Sequence, residues 1–143
     1  MLIGEYQHKM DAKRRLPMPA RLRSELGPKV VVTRGLEGCL FVYPLRAWEE
    51  FAAKLNALPL TSESSRNFKR FMFSGASEVE LDNLGRILVP DYLKDHAALQ
   101  KDAVVLGAGE RLEIWDKEKW RAHQTRTADE MEAHAEALNE FGI

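Results

Sequence analysis

The sequence predicts a small α+β protein in which one ββαββα unit is written twice. The nine-residue segment Asp11–Pro19 returns 71 residues later as Asp82–Pro90, with an acid, an arginine and a closing proline at matching positions. Short segments rich in β-branched and aromatic residues alternate with segments of helical periodicity. A unit of about 45 residues seldom holds a core unaided. We therefore expect the two units to interdigitate with each other or with another subunit.

The first unit opens with a strand over residues 3–9, a turn at 11–14 and a short return strand. Pro17 restricts the return strand to the edge of a sheet or to a bulge. The next proline is placed to open a brief helix that ends at Gly27. Each unit is predicted to hold two short hairpins around one turn of helix, and these strands would form the first hairpin.

The second hairpin of the unit is predicted from Lys29–Arg34 and Cys39–Tyr43, which are dense in β-branched or aromatic residues and joined by a glycine-flanked turn. Leu45, Trp48 and Leu55 then fall at helical spacing, which predicts a helix over residues 44–58. The lone Cys39 lies in the second of these strands and is expected in the core.

A polar, serine-rich stretch at residues 61–66 is the natural boundary between the units. It offers two candidate N-cap pairs for the helix that follows, Ser62 with Ser65 and Thr61 with Ser64. We expect a first repeat over residues 1–60, a connecting helix over 61–74, and a second repeat with a C-terminal helix over 75–143.

The second unit repeats the order of the first. Its predicted elements are strands at 77–81 and 86–89, a helix at 90–98, and a hairpin of 103–106 with 112–115. A long final helix is expected to begin near Asp116, a suitable N-cap. Ala128, Met131, Ala135 and Leu138 form a narrow apolar seam along this helix, which we interpret as a packing surface.

Charge is distributed unevenly along the chain. The formal net charge is -1, so the protein as a whole is not a basic nucleic-acid binder. Residues 9–23 nevertheless contain six basic residues and one acid, whereas residues 110–143 contain nine acids and five bases. A near-neutral protein that concentrates positive charge around one turn presents a local anion-binding face.

Several classes of protein receive no support from the sequence. One cysteine excludes an internal disulfide framework, and the chain has neither a signal-peptide pattern nor an apolar run of membrane-spanning length. We therefore expect a cytoplasmic protein. The four histidines and the cysteine lack metal-ligand spacing, and no glycine-rich phosphate loop is present. We expect no metal and no cofactor, and an enzyme is the least supported class.

The repeated turn carries the most informative chemistry. Arg15 and Arg86 each follow a tight turn, and arginine offers a planar fork of donors suited to phosphate or to the guanine edge. Asp11 and Asp82 stand four residues earlier and can accept hydrogen bonds from turn amides or pair with the arginine. Spacing alone leaves two interpretations open: arginines that grip DNA, or salt bridges that only close the turns.

Further motifs accompany the two Asp-x-x-x-Arg turns. They are Arg34–Pro44 followed by Trp48, Arg70–Ala76, and Leu112–Asp116 followed by Trp120. In this order the motifs resemble the bacterial MraZ family, and the resemblance covers about residues 1–121. It implies a duplicated swapped-hairpin fold with β-barrel units similar to those of the AbrB-type regulators. It also implies a ring-like homo-oligomer.

The function that the resemblance implies is sequence-specific DNA binding. The family suggests a nucleoid-associated transcriptional regulator that acts on repeated promoter boxes of its own operon, in the division and cell-wall gene cluster, and represses it. In the family the Asp-x-x-x-Arg turns form the DNA-contacting face. Carried over to this sequence, the contacts fall on Lys13, Arg15 and Arg86, while Asp11 and Asp82 structure the turns.

The first turn departs from the family pattern, which has glycine just before the arginine, as the second turn does at Gly85. Arg14 stands there instead. If the turn requires a positive φ, Arg14 carries a strain that glycine would avoid. Alternatively the turn differs slightly and Arg14 is an additional DNA phosphate contact, which we favour. The alternative function is an oligomeric interaction protein, with turns that only staple the fold and an acidic C-terminal helix as its partner surface.

Overall fold

The computed structural model describes the whole chain, Met1–Ile143, with eight strands and six α-helices. The strands are β1 (Glu5–Lys9), β2 (Arg15–Pro17), β3 (Lys29–Arg34), β4 (Leu40–Pro44), β5 (Ser77–Glu80), β6 (Arg86–Leu88), β7 (Asp102–Gly107) and β8 (Leu112–Asp116). The helices are α1 (Arg23–Leu26), α2 (Leu45–Asn56), α3 (Glu63–Gly75), α4 (Asp91–His96), α5 (Lys117–Thr127) and α6 (Met131–Ala137). The α+β class is confirmed.

The two units interdigitate within one chain. Six strands form an antiparallel sheet in the order β1-β7-β8-β4-β3-β5, and β2 pairs with β6 in a separate two-stranded ribbon. The first strand of each unit therefore joins the hairpin of the other unit, because β1 pairs with β7 and β5 with β3. The predicted hairpins β3–β4 and β7–β8 are confirmed.

The prediction that β1 and β2 form a hairpin ladder is wrong. Strand β2 instead pairs with β6, its equivalent in the other unit. Leu16 lies opposite Ile87, and both side chains are fully buried. A hairpin within one unit would bring together two short strands with little apolar surface. The pairing between units instead buries one apolar side chain from each strand at the same point.

Alternating side chains of the sheet divide the interior into two layers. One face, with Val30, Val42 and Ile114 among its residues, packs against the ribbon and the short helices α1 and α4. The opposite face, with Tyr43 and Trp115, packs against the longer helices α2, α3 and α5. The ribbon and the longer helices therefore lie on opposite sides of the sheet.

Two N-caps and the buried cysteine follow the sequence-based expectations. The Ser62 hydroxyl accepts a hydrogen bond from the Ser65 amide at 3.3 Å, and the Asp116 carboxylate accepts one from the Lys119 amide at 3.2 Å. Cys39 is fully buried, and burial raises the pKa of its thiol to about 12. The thiol is therefore neutral at physiological pH.

The predicted long C-terminal helix is interrupted. A turn of 3-10 helix at Ala128–Glu130 separates α5 from α6. The hydroxyl of Thr127 donates to the carbonyl of His123 at 2.9 Å, and Thr125 makes the same kind of bond to Arg121. Such back-bonding by threonine bends helices. None of the six helices has the length and apolar character that a membrane crossing requires.

Candidate nucleic-acid interface

The two repeated turns have the same hydrogen-bonded structure. In the first turn, Oδ1 of Asp11 accepts from the amides of Lys13 and Arg15, both at 2.9 Å. In the second, Oδ1 of Asp82 accepts from the amides of Leu84 and Arg86, again at 2.9 Å. A short side chain that satisfies two turn amides fixes the backbone on both sides of the turn. The duplicated sequence therefore yields a duplicated local structure.

The same aspartates orient the arginines. The second carboxylate oxygen, Oδ2, accepts from Nε of Arg15 at 2.7 Å and, in the other turn, from Nε of Arg86 at 2.8 Å. The Arg15 amide, followed by its side chain, holds the pKa of Asp11 below its ordinary value. Arg86 has the same effect on the pKa of Asp82. Both carboxylates are therefore ionised at neutral pH.

These ion pairs leave the terminal amino groups of each guanidinium available. Arg15 makes no further side-chain hydrogen bond within the chain, and Arg86 adds only a contact of 3.9 Å from Nη1 to Oδ2 of Asp11. Each pair uses the Nε edge of the fork, and the Arg15 and Arg86 side chains remain 37% and 25% exposed. The two interpretations of the turn are thus compatible, because the salt bridge that closes the turn also directs the arginine.

The ribbon brings the two arginines to one surface. In the register of the β2–β6 pair, Arg15 lies opposite Leu88 and Arg86 lies opposite Pro17. Because side chains alternate along a strand and Leu16 points into the core, Arg15 and Arg86 share the outward face. They are diagonal neighbours across the ribbon, a spacing of about 7–8 Å in antiparallel pairs.

Arg14 adopts the left-handed conformation that glycine takes in the second turn. Its φ is 62°, and that of Gly85 is 75°. The expectation of a different first turn is therefore wrong, because Asp11 caps the first turn in the same way as Asp82 caps the second. The DNA phosphate contact of Arg14 stays a prediction. The Arg14 side chain donates from Nε to the Val89 carbonyl at 3.0 Å and lies 3.2 Å from a carboxylate oxygen of Asp91.

Two basic residues not included in the predicted set flank the turns. Arg23, from α1, donates through Nε to the Met18 carbonyl at 3.0 Å and covers Gly85, where any Cβ would overlap its guanidinium. Lys94, from α4, lines a surface cavity of about 560 Å³ beside the first turn, together with Arg14. The alignment of Leu22-Arg23 with Leu93-Lys94 in the repeat was the available signal.

The tips of the two turns differ in chemistry. Lys13 is exposed at the tip of the first turn, with a backbone amide bonded to Asp11 and a free ammonium group. The equivalent residue of the second turn is Leu84, which is 64% exposed. The first tip therefore offers a cation and the second an apolar side chain on the same general surface.

No group of three or more His, Cys, Asp or Glu side chains is placed to hold a metal ion. The structure instead concentrates polar function at the ribbon. Its outward face carries two oriented guanidinium groups, and the flanking helices and turn tip contribute further cations.

Comparisons with known proteins agree with the duplication. The family model described as "MraZ protein, putative antitoxin-like" matches residues 1–71 and again residues 72–141. The chain is also similar over its whole length, and over the whole length of each relative, to three proteins named "Transcriptional regulator MraZ". These come from Heliobacterium modesticaldum (53% identical), Moorella thermoacetica (50%) and Clostridium beijerinckii (50%).

Proposed function

The chain belongs to the MraZ family, and on that premise we propose that it is a sequence-specific DNA-binding regulator of transcription. The proposal includes action as a ring-like homo-oligomer on repeated boxes in the promoter of its own operon. That operon would be the division and cell-wall cluster, which the protein would repress while associated with the nucleoid. The names of the relatives support regulation of transcription.

The observation that carries the proposal is the pair of oriented forks on the ribbon. A guanidinium whose Nε edge is bonded to a carboxylate keeps its direction before any ligand arrives, so less side-chain entropy is lost on binding. Arg15 and Arg86 are held in this way on one face, at 2.7 and 2.8 Å from their aspartates. Phosphate oxygens or guanine edges are the DNA groups that match their remaining donors.

The neighbouring cations extend this face. We assign phosphate contacts to Lys13, which is exposed, and to Arg23 and Lys94, which flank the turns. Arg14 is bonded to the Val89 carbonyl, so we assign it a supporting role beside the phosphates. Phosphate contacts position a protein on the duplex, and base-edge contacts then specify the sequence.

Assembly into a ring would bring several copies of the candidate DNA face together. Each chain presents two turns, and a ring would present many along a promoter that repeats a short box. Binding that neutralises several phosphates releases counterions, so the affinity is expected to fall steeply with salt.

The alternative is an oligomeric interaction protein in which the turns serve only to fix the fold. The observation that favours it is that both aspartate–arginine pairs form within the chain. The two functions differ in what the arginines do beyond those pairs. Loss of the fork would abolish DNA binding under the proposal and would weaken folding or assembly under the alternative.

A gel-shift titration against the DNA directly upstream of the gene would test the proposal. Wild type is compared with the double variant Arg15→Ala/Arg86→Ala and with Arg15→Lys/Arg86→Lys, which keeps the charge but removes the planar fork. We expect the alanine variant to lose at least about 100-fold in affinity, since each charged hydrogen bond is worth about 1.5–3 kcal/mol. The DNA affinity of the lysine variant should lie between those of the wild type and the alanine variant.

The matched control is Arg46→Ala. Arg46 is an exposed arginine on α2, paired only with Glu50, on the opposite side of the sheet. Its removal should leave DNA affinity unchanged. Size-exclusion chromatography of every sample separates the two functions. An alanine variant that elutes at wild-type size without binding DNA supports the proposal. A wild type that does not bind, or a variant that dissociates, contradicts it.

A further inference from the structure

The acidic end of the chain has no partner within its own molecule. We infer that the segment Ala128–Ile143 of one chain docks onto a basic corner between α2 and α3 of a second copy. We call these surfaces the acidic C-terminal segment and the basic corner, the latter formed by Leu58, Pro59, Leu60, Arg66, Lys69 and Arg70. The inference identifies the contact that would build the ring, and it rests on the assembly stated in the proposed function.

The acidic C-terminal segment contains the short helix α6 and an apolar stripe but buries nothing. Every residue from Ala128 to Ile143 is exposed. Met131 is 52% exposed, Leu138 46% and Phe141 71%, and the first two lie on one side of α6 with Ala135 between them. The segment contains five acids and no lysine or arginine. An apolar stripe with acidic flanks requires a partner that is both apolar and basic.

The basic corner has both properties. Leu60 is 78% exposed and Leu58 37%, and with Pro59 they form the bend that leads from α2 towards α3. Arg66, Lys69 and Arg70 stand three and four residues apart on α3 and so share one face of that helix. The bend and these cations enclose a shallow cavity of about 220 Å³.

One hydrogen bond joins the two parts of the corner. Arg66 donates from Nη1 to the Leu60 carbonyl at 2.9 Å, so the exposed leucine is held beside the cations. None of the ion pairs of the chain includes Lys69, and the Arg70 side chain contacts only the Asn67 amide oxygen, at 3.2 Å. The corner thus presents unpaired positive charge at the edge of an exposed apolar patch. This is the complement of the acidic stripe.

The positions of the two surfaces favour association from head to tail. Helices α2 and α3 pack on β3 and β4, near the β5 edge of the sheet. Helix α5, which leads into the acidic C-terminal segment, packs on β7 and β8 and reaches the opposite edge, where Trp120 bonds to Glu5 of β1. Donor and acceptor therefore lie towards opposite ends of one helical layer. A contact of this kind repeats between copies and closes into a ring when the rotation allows.

The arrangement also keeps assembly clear of the candidate DNA face. The longer helices cover one side of the sheet and the ribbon covers the other. An acidic segment docked on its neighbour's helical layer leaves both arginine forks exposed. The same segment docked on the ribbon would compete with DNA, and the experiment separates these two outcomes.

Charge reversal tests the contact, with the mass in solution measured by light scattering after size exclusion and without DNA. Glu132→Lys/Glu136→Lys reverses the segment, and Arg66→Glu/Arg70→Glu reverses the corner. We expect each double variant to fall from the oligomer towards the 16.3 kDa monomer. We expect the quadruple variant to recover the wild-type mass. The matched control, Arg46→Glu/Lys54→Glu, makes the same charge change on exposed positions of α2 and should remain assembled.

A further variant guards against local unfolding at the corner, where Arg66 has an internal bond. Met131→Ser/Leu138→Ser removes the apolar stripe from a segment that supports no other part of the fold. It should also dissociate the oligomer, while the monomer keeps the wild-type circular dichroism spectrum. Unchanged mass in the segment variants, or failure of the quadruple variant to reassemble, would overturn the inference. So would higher DNA affinity of Glu132→Lys/Glu136→Lys at wild-type mass, which would place the segment on the ribbon.

Failure of the proposed function gives a different result. A wild type that assembles through these surfaces but does not bind DNA contradicts the regulator and leaves the inference standing. A monomeric wild type that binds DNA contradicts the inference and leaves DNA recognition standing.

Discussion

The first and second turns each place a guanidinium against the equivalent backbone carbonyl of the ribbon, but they supply it from different parts of the chain. At the first turn, Arg14 itself bonds to the carbonyl of Val89. At the second turn, Arg23 of α1 bonds to the carbonyl of Met18, which stands at the matching position of the repeat. Gly85 leaves the space that Arg23 occupies.

The two turns therefore place a guanidinium at the same point of the structure, although it comes from different positions of the repeated sequence. The residue that would correspond to Arg23 at the first turn is Lys94, which lacks the planar fork. Arg14 provides the missing guanidinium and accepts a left-handed backbone at a cost of about 1–2 kcal/mol. A hydrogen bond from a charged donor contributes about 1.5–3 kcal/mol, which offsets that cost.

The largest loss of stability is expected from a substitution at Gly85, because Arg23 occupies the space that a side chain would need. Gly85→Ala adds the left-handed strain and displaces Arg23 from the Met18 carbonyl, for a combined loss of about 3 kcal/mol in the free energy of unfolding. Denaturant unfolding measures it. Gly109→Ala is the control, because Gly109 has a φ of 90° and nothing within 4 Å of an added Cβ. Equal losses in the two variants would contradict the role given to Arg23.

A smaller effect is expected at Arg14, with an unusual order of variants. Arg14→Ala removes the bond to Val89 and keeps the strain, whereas Arg14→Gly removes both. Glycine should therefore be more stable than alanine here by about 1 kcal/mol, the reverse of their order at ordinary positions. Adding Lys94→Arg to Arg14→Gly rebuilds the second arrangement in the first turn and should recover stability. If alanine is the more stable variant, the backbone of Arg14 is not strained in solution.

The turn tips should differ modestly in DNA binding. Lys13→Leu gives the first tip an apolar residue like that of the second, and Leu84→Lys does the opposite. The slope of log affinity against log salt should change by about 0.9 for each phosphate that the variant ceases or begins to neutralise. Binding titrations between about 50 and 200 mM salt, the range over which such slopes act strongly, measure the change. Slopes that stay constant in both variants would show that neither tip neutralises a phosphate.

The smallest loss of stability is expected on acidification, because both turn aspartates are solvent-accessible. Their pKa values are lowered in the fold, chiefly by the amides of Arg15 and Arg86. The unfolded state then binds more protons near its own pKa of about 3.9, so the stabilisation is complete above that pH and is lost as the pH falls through the lowered values. Asp11→Asn/Asp82→Asn should flatten stability against pH below about 4. An unchanged profile would contradict the carboxylate's role.

Local sequence determined much of the structure. The hairpin β3–β4 follows from its β-branched residues, and the caps at Ser62 and Asp116 follow from side chains that can accept a bond three residues ahead. These features depend on neighbours in the chain, so a single sequence contains their cause. The division at residues 1–60, 61–74 and 75–143 stays a prediction.

The pairing of β2 with β6 could not be obtained in the same way. Both strands have only three residues, and their periodicity does not indicate which strand each pairs with, 71 residues away. For the candidate site, the Asp-x-x-x-Arg spacing left open whether the aspartates bond to turn amides or pair with the arginines, and both kinds of bond form. The spacing alone did not show that the two arginines share a face. The positive φ of Arg14 was considered but not favoured, because an extra cation suggested a ligand contact rather than a partner within the chain, the Val89 carbonyl.

The β2–β6 ribbon also ties the candidate DNA face to the completion of the chain. One strand of the ribbon comes from each half of the chain. Strand β1 can pair only once β7 has been made, since Glu5 pairs with Leu106. Pairings between such distant residues form late and slowly during folding. A nascent chain on the ribosome therefore lacks the paired arginine forks until its second half has emerged. Under the proposed function, unfinished or truncated chains would not compete with the complete protein for DNA.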